Sequence, residues 1–257
     1  KLQAWLNEKI PEYEKIEDIK QFIGGQSNPT FLIKFKNKKS CILRKKPPGD
    51  LLPSAHAIER EYTIQKALEK SIIPCPKMIV LCEDTSIIGT SFYLMNVVNG
   101  NVFESITEID NTKLRKKVFL SMVRMLANLH NVDYKYLELD NFGKGEGYIL
   151  RQINRWESQW DLSKQRELRE IIKITEWLRN NLPDDSSISI VHGDFRLGNL
   201  IFKENTKEVS AVLDWELSTI GHPFSDLGYL LHIHYVPKGE RHGLKGYDFL
   251  KENIPST

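Results

Sequence analysis

At 257 residues and 29.8 kDa the chain is long enough to bury a core without disulfides or a structural metal. Hydrophobic residues at 40%, charged residues at 27% and a mean hydropathy of -0.39 exclude a disordered, collagen-like or membrane-spanning chain. Thirty-six Lys and Arg against 34 Asp and Glu leave a formal charge of +2, too little for a general nucleic-acid field, so an anionic ligand must be gripped locally.

In chain order, Lys1 to Ile10 is amphipathic and too polar for a secretory leader. An apolar run ends at Phe22 and Ile23, Gly24-Gly25-Gln26-Ser27-Asn28-Pro29 is dense in turn formers, and Thr30 to Phe35 resumes strand character. A second turn at Lys36 to Lys39 leads into Ser40 to Arg44, giving three strands in succession. Leu52 to Lys70 carries apolar residues at helical spacing, with Pro53-Ser54 as its expected start, and two further strands follow at Met78 to Cys82 and Ser91 to Met95. After Asn99-Gly100 the texture becomes helical. Leu114, Val118, Met122, Met125, Leu126 and Leu129 form one stripe, which predicts a helix over 112–131, and further helices are expected over 151–160 and 165–180. Strand character returns at Ile188 to Val191, and a polar turn joins Leu200 to Phe202 with Val209 to Leu213 as a hairpin. The expected division is a strand-rich half over 1–98 and a mostly helical half over 99–257. Cys41, Cys75 and Cys82 have apolar neighbours and no metal-binding spacing, so they read as reduced thiols of an intracellular protein.

The chemistry concentrates in His192-Gly193-Asp194-Phe195-Arg196-Leu197-Gly198-Asn199 and, beyond the hairpin, Asp214-Trp215-Glu216. An antiparallel hairpin brings the residue entering its first strand beside the residue leaving its second, so Asn199 and Asp214 should face one another. Their oxygens are hard ligands suited to magnesium, with Asp194 five residues before Asn199 as a neighbouring carboxylate. One Asp to deprotonate an acceptor hydroxyl, and an Asp and Asn to hold the metal, is the layout of phosphoryl transfer. The bland alternative makes Asp194 and Asn199 ordinary loop formers. In the first half, Gly24, Gly25, Gln26, Ser27 and Asn28 form a turn where backbone N–H groups can approach phosphates, or a plain hairpin turn. Arg44 and Glu61 are an opposite-charge pair of the kind that orients nucleotide phosphates, unless Lys45 or Lys46 takes the cationic role or the pair is only a solvated one.

The segments Val191 to Phe202 (VHGDFRLGNLIF), Val212 to Thr219 (VLDWELST) and Pro223 to Tyr229 (PFSDLGY) resemble the aminoglycoside-phosphotransferase and choline-kinase-like family. Gly25 to Thr30 (GQSNPT), Leu43 to Glu61 (LRKKPPGDLLPSAHAIERE) and Tyr148 to Gln152 (YILRQ) resemble, more closely, the branch fused ahead of acyl-CoA dehydrogenase domains of the family member 10 and 11 type, and its stand-alone bacterial relatives. The likeness runs from about Phe22 to Tyr235. It implies an α+β, bilobal, protein-kinase-like fold with ATP and Mg2+ in the cleft. By matching positions it implies Asp194 as catalytic base, Asn199 and Asp214 as metal ligands, and Arg44 with Glu61 as the phosphate-orienting pair. It further implies that Met95, Asn96, Val97 and Val98 hold adenine and that Asp226 is a structural carboxylate. The implied acceptor is a small-molecule hydroxyl, on a hydroxyacyl-CoA rather than an antibiotic, with no nucleic acid and no membrane span. Fusion to or association with an acyl-CoA dehydrogenase is a further expectation, in the cytoplasm of a bacterium or the peroxisome or mitochondrion of a eukaryote. The competing readings are an aminoglycoside- or choline-type kinase and a catalytically silent nucleotide-binding module.

Three departures from the family pattern stand out. His222 occupies the place of the usual Asp in Gly-Asp-Pro, as a pH-sensitive substitute or a helix-start residue. Arg44 replaces the lysine of better-known kinases. Relatives continue through further C-terminal helices, and Lys1 stands in place of Met, so a longer gene product is expected. Of the remaining features, His232 and His234 read as surface or partner-contact residues rather than metal ligands, and His130 as a C-terminal helix cap. Trp156 and Trp160 read as packing residues, and Arg151 and Arg196 as surface residues or contacts to an anionic acceptor.

Overall fold

The computed structural model describes residues 1–22, 28–47, 57–184, 186–240 and 242–256. Helix α1 (Leu2–Lys9) precedes strands β1 (Ile16–Gln21), β2 (Thr30–Phe35) and β3 (Ser40–Lys45), helix α2 (Ile58–Leu68), and strands β4 (Met78–Cys82) and β5 (Phe92–Asn96). The five strands form one antiparallel sheet in the order β1-β2-β3-β5-β4. Side chains alternate across its pleat. Cys41 and Leu43, with Phe92 and Leu94, pack toward Leu6 and Ile10 of the α1 segment, whereas Ile42, Tyr93 and Met95 pack on Ile58 of α2. This alternation decides which cation enters the cleft. Arg44 shares the parity of Ile42 and therefore points to α2, while Lys45 shares that of Leu43 and points away; Lys46 pairs with Glu59 at 3.0 Å.

The second lobe holds helices α3 (Thr112–His130), α4 (Tyr148–Ser163) and α5 (Arg169–Asn180), strand β6 (Ser189–Val191), strands β7 (Leu200–Phe202) and β8 (Val209–Val212), strand β9 (Thr219–Gly221), and helices α6 (Phe224–His232) and α7 (Phe249–Glu252). The stripe read from the sequence is the buried face of α3: Val118, Met122, Leu126 and Leu129 join the main core, and Asn111 caps the helix by accepting the Lys113 N–H at 3.0 Å. Two small ribbons, β6 with β9 and β7 with β8, lie against it. Trp215, wholly buried, plugs this core and donates its indole N–H to the Val212 carbonyl at 3.0 Å. Helix α2 begins at Ile58 among the described residues, and its expected start at Pro53-Ser54 lies outside them. No sequence signal announced β9, a three-residue strand whose pairing with β6 is purely tertiary. Among the described residues, no helix is long and apolar enough to cross a membrane, and Cys41, Cys75 and Cys82 are free thiols. Burial pushes the Cys41 thiol up to about 12, which keeps it protonated and unreactive.

Candidate active site

The hairpin β7–β8 pairs Leu200 with Val212, and the Leu213 N–H donates to the Asn199 carbonyl at 2.9 Å. Asp214 is thus one step past the residue opposite Asn199, and its left-handed backbone (φ 63°) turns the chain out of the ribbon there. The loop before β7 is tied down from three sides. The fully buried Asp226 carboxylate accepts the His192 and Gly193 N–H groups at 2.8 Å each and His130 Nε2 at 3.0 Å. Three donors on one buried carboxylate offset the loss of its hydration. His192 Nδ1 accepts the Asp194 N–H at 3.2 Å, which leaves Nε2 as the protonated nitrogen donating to the Leu213 carbonyl at 2.9 Å. Gly193 sits at φ +87°, where an added Cβ would lie 2.7 Å from the Leu217 carbonyl oxygen, so only glycine fits this bend.

Asp194 is held out into the cleft by that loop. Asn199 Nδ2 donates to Asp194 Oδ2 at 2.9 Å and to its main-chain carbonyl at 2.8 Å, and Arg196 Nε approaches Oδ2 at 3.5 Å. Arg196 also pairs with Glu104 at 2.8 Å. With both amide hydrogens of Asn199 engaged on Asp194, its oxygen is the polar atom left for another partner. That oxygen and the Asp214 carboxylate are hard donors of the type magnesium takes, and two protein ligands completed by phosphate and water are its usual complement. The donor chemistry therefore fits the metal. Among the described residues, no group of three or more His, Cys, Asp or Glu is arranged to hold one.

Across the cleft, Arg44 donates through Nε to Glu61 Oε2 at 3.0 Å and through Nη2 to Asp214 Oδ1, with Glu216 Oε2 3.9 Å away. Burial works against the guanidinium's charge, but Glu61 and the neighbouring acids outweigh it and raise its proton affinity further. Glu61 is only 1% exposed, and burial drives its carboxyl up to about 7; Arg44 opposes the rise, while Asp214 and Glu216 add to it. Asn28 completes the cluster: its Nδ2 lies 3.4 Å from Glu61 Oε2 and 3.3 Å from Glu216 Oε2. Its Oδ1 is the one buried side-chain polar atom without a partner among the described residues, a desolvation cost of roughly 1–3 kcal/mol.

Of the other residues singled out from the sequence, Gly24, Gly25, Gln26 and Ser27 lie outside the described residues. Met95 is buried at the end of β5, Asn96 is exposed, and Val97 and Val98 are half-buried as the chain leaves the sheet. Asn101 then pairs with Phe202 of β7 by two main-chain bonds of 2.8 Å, which stitches the connection between lobes to the hairpin. His222 behaves as a helix-start residue: Nδ1 accepts the Phe224 N–H at 3.2 Å, and Nε2 meets the Asp184 carbonyl at 3.1 Å. His130 is not a dipole cap alone, since it holds Asp226. Trp156 is 63% exposed and lines the cleft rather than packing a helix face.

That cleft, about 750 Å³, is lined by Asp194 together with Arg60, Lys144, Arg151 and Arg155. Arg60 donates to the Phe142 and Ser218 carbonyls at 2.7 and 3.2 Å, and Arg151 to main-chain carbonyls of Glu146, Lys144 and Gly145. Carbonyl partners orient these guanidinium groups without cancelling their charge. Sequence reasoning missed Arg60, Lys144 and Arg155, and it singled out Glu216 within the Asp214-Trp215-Glu216 segment without giving it a role.

A five-stranded lobe with one internal helix and a helical lobe that carries the β7–β8 hairpin define a kinase-like phosphotransferase fold. The chain belongs to the phosphotransferase enzyme family, whose model matches residues 18–249. It is 42% identical over 243 residues to human acyl-CoA dehydrogenase family member 11, a match spanning 92% of this chain and 31% of that protein. The chain therefore spans about a third of the length of this relative. The solved structure of a candidate aminoglycoside phosphotransferase from Ralstonia eutropha is 37% identical, with a TM-score of 0.88 over 99% of this chain and 75% of the other. The GDP complex of aminoglycoside 2'-phosphotransferase-IIIa, at 14% identity and a TM-score of 0.66, covers 98% of this chain and 85% of that one and shares the fold.

Proposed function

We propose that the protein is an ATP- and Mg2+-dependent kinase of a small-molecule hydroxyl, with Asp194 as general base and direct in-line transfer. The observation that carries the reading is a continuous path of polar contacts and backbone across the cleft. It passes from Asp194 through Asn199 to the Leu213 main chain, continues along the backbone to Asp214, whose side chain resumes it, and goes on through Arg44 to Glu61, so that main-chain connectivity supplies the one step that is not a polar contact. In this reading residues 1–98 bind the nucleotide, with Gly24, Gly25, Gln26, Ser27 and Arg44 on its phosphates and Met95, Asn96, Val97 and Val98 along its adenine; the Asn28 side chain, expected among the phosphate contacts, is engaged on Glu61 and Glu216 instead. Residues 99–257 supply the chemistry. Asn199 and Asp214 would hold magnesium, which when bound offsets charge on the phosphates. Asp194, oriented by two donors on Oδ2, accepts the proton of the attacking hydroxyl. A relative named for acyl-CoA dehydrogenase and a fold neighbour solved with GDP are in keeping with a nucleotide-using enzyme that works beside, or fused to, a dehydrogenase.

The charge of the cleft favours an anionic acceptor. Four cationic side chains line the same cleft as Asp194, an unfavourable setting for a polycationic aminoglycoside or for choline and a favourable one for a hydroxyacyl-CoA. The test is an ATP-consumption screen of the 257-residue chain against hydroxyacyl-CoAs, aminoglycosides, choline and sugars, repeated with Asp194→Ala. Turnover confined to anionic acceptors and lowered roughly 10²- to 10⁴-fold in the variant, with nucleotide binding retained, is the expected outcome. Nucleotide-induced stabilisation without turnover on any acceptor would instead make this a silent nucleotide-binding module.

A further inference from the structure

Asn28 directly follows Gly24-Gly25-Gln26-Ser27 in the sequence, and its side chain is 6% exposed and turned away from solvent. Its two amide hydrogens lie within reach of two carboxylates on different lobes, Glu61 of α2 at 3.4 Å and Glu216 at 3.3 Å, the latter 188 positions along the chain. The opposite flip of the amide would set its oxygen against both acids, so the nitrogen must face them. Glu61 and Glu216 repel one another and share a single guanidinium, that of Arg44, 3.0 and 3.9 Å away. A neutral double donor is the group that can sit between them without adding charge. Thr30 Oγ1 donates to the Asn28 carbonyl at 3.1 Å and accepts from Arg44 Nη1 at 3.5 Å, so the backbone of Asn28 is fixed to the same cluster.

We propose that Asn28 is a positioning residue that locks the two lobes in register, its carboxamide bridging Glu61 and Glu216 so that the phosphate-orienting pair meets the Asp214 end of the hairpin. The inference rests on the kinase reading given above. It assigns Asn28 to the carboxylates instead of to the phosphates, and it gives Glu216 a role as the anchor on the hairpin lobe. Asn28→Ala removes both bonds. Asn28→Asp replaces the donors with a third acid. Asn28→Asp combined with Glu216→Gln restores a donor–acceptor pair with the polarity reversed and the cluster charge unchanged.

The experiment uses the 257-residue chain with ATP and MgCl2 as probes, reading melting temperature without ligand and half-saturating ATP and Mg2+ concentrations by thermal shift. Asn28→Ala is expected to raise both half-saturating concentrations about tenfold while the unliganded melting temperature moves by only a few degrees. Asn28→Asp should be worse than Asn28→Ala, and the double variant, which restores the contact to position 216 but not that to Glu61, should recover part of the difference. A wild-type chain that binds ATP and Mg2+, with Asn28→Ala equal to it, overturns the positioning role alone. So does a double variant no better than Asn28→Asp. A wild-type chain that binds neither overturns the kinase reading and this role with it.

Discussion

Glu61 offers a test of the cluster's electrostatics that needs no substrate. Its carboxyl stands at about 7 in the folded protein against an ordinary 4.5, because burial and two nearby acids outweigh the help of Arg44. Between these values the folded chain holds a proton that the unfolded chain has released, so folding stability must fall as pH rises through this window. At about 1.4 kcal/mol for each tenfold change in proton affinity, the full separation amounts to about 3 kcal/mol. For a chain of this size that corresponds to a melting-temperature difference of about 6–12 °C. Glu61→Gln retains an acceptor for Arg44 and removes the titration. Melting curves of both proteins from pH 4.5 to 8, without nucleotide, isolate the effect as the pH dependence of their difference, since every other group titrates in both. The wild type should lose ground steadily to the variant as pH rises, with most of the change complete by about pH 7.5. A difference constant to within about 1 °C across that range would refute the assignment of excess negative charge to this cluster.

Gly193→Ala should destabilise the fold by about 1–3 kcal/mol, because the new Cβ meets the Leu217 carbonyl oxygen at 2.7 Å in a left-handed backbone. An unchanged melting temperature would mean that the loop before Asp194 can relax, against the packing seen. Arg155→Glu reverses one cleft charge on an exposed side chain and should raise KM for an anionic acceptor several-fold while leaving KM for ATP unaltered. Equal changes in both constants would detach Arg155 from the acceptor.

The α3 stripe, the β7–β8 hairpin and the succession of strands and helix along the first lobe were legible because each rests on local periodicity and turn chemistry, whereas the insertion of β5 between β3 and β4 in the sheet was not. Choosing among Arg44, Lys45 and Lys46 needed one more fact, which face of β3 meets α2. Alternation along Ser40–Lys45 supplies it only once Leu43 is known to face the α1 side. The facing of Asn199 and the Asp214 end followed from hairpin register alone. The basic wall did not. Arg60 lies on α2, Lys144 on a loop and Arg151 and Arg155 on α4, and nothing in their separate neighbourhoods relates them until the lobes are assembled. Trp156 misled for the same reason: spacing of four marks a shared helix face, but whether that face is covered is a tertiary matter.

The departure at Arg44 becomes intelligible in this geometry. A lysine ammonium is a compact charge, and the partners here sit at three places: Glu61 on α2, Asp214 past β8 and Thr30 on β2. The guanidinium reaches all three at once through Nε, Nη2 and Nη1, a fork that no single ammonium reproduces. The same fork carries one charge against three acids, which leaves the cluster net negative and drives Glu61 upward. A neutral bridging amide at Asn28 suits such a cluster, because a second permanent cation there would cancel the excess negative charge that, in the proposed reading, would attract a metal to the Asp214 end.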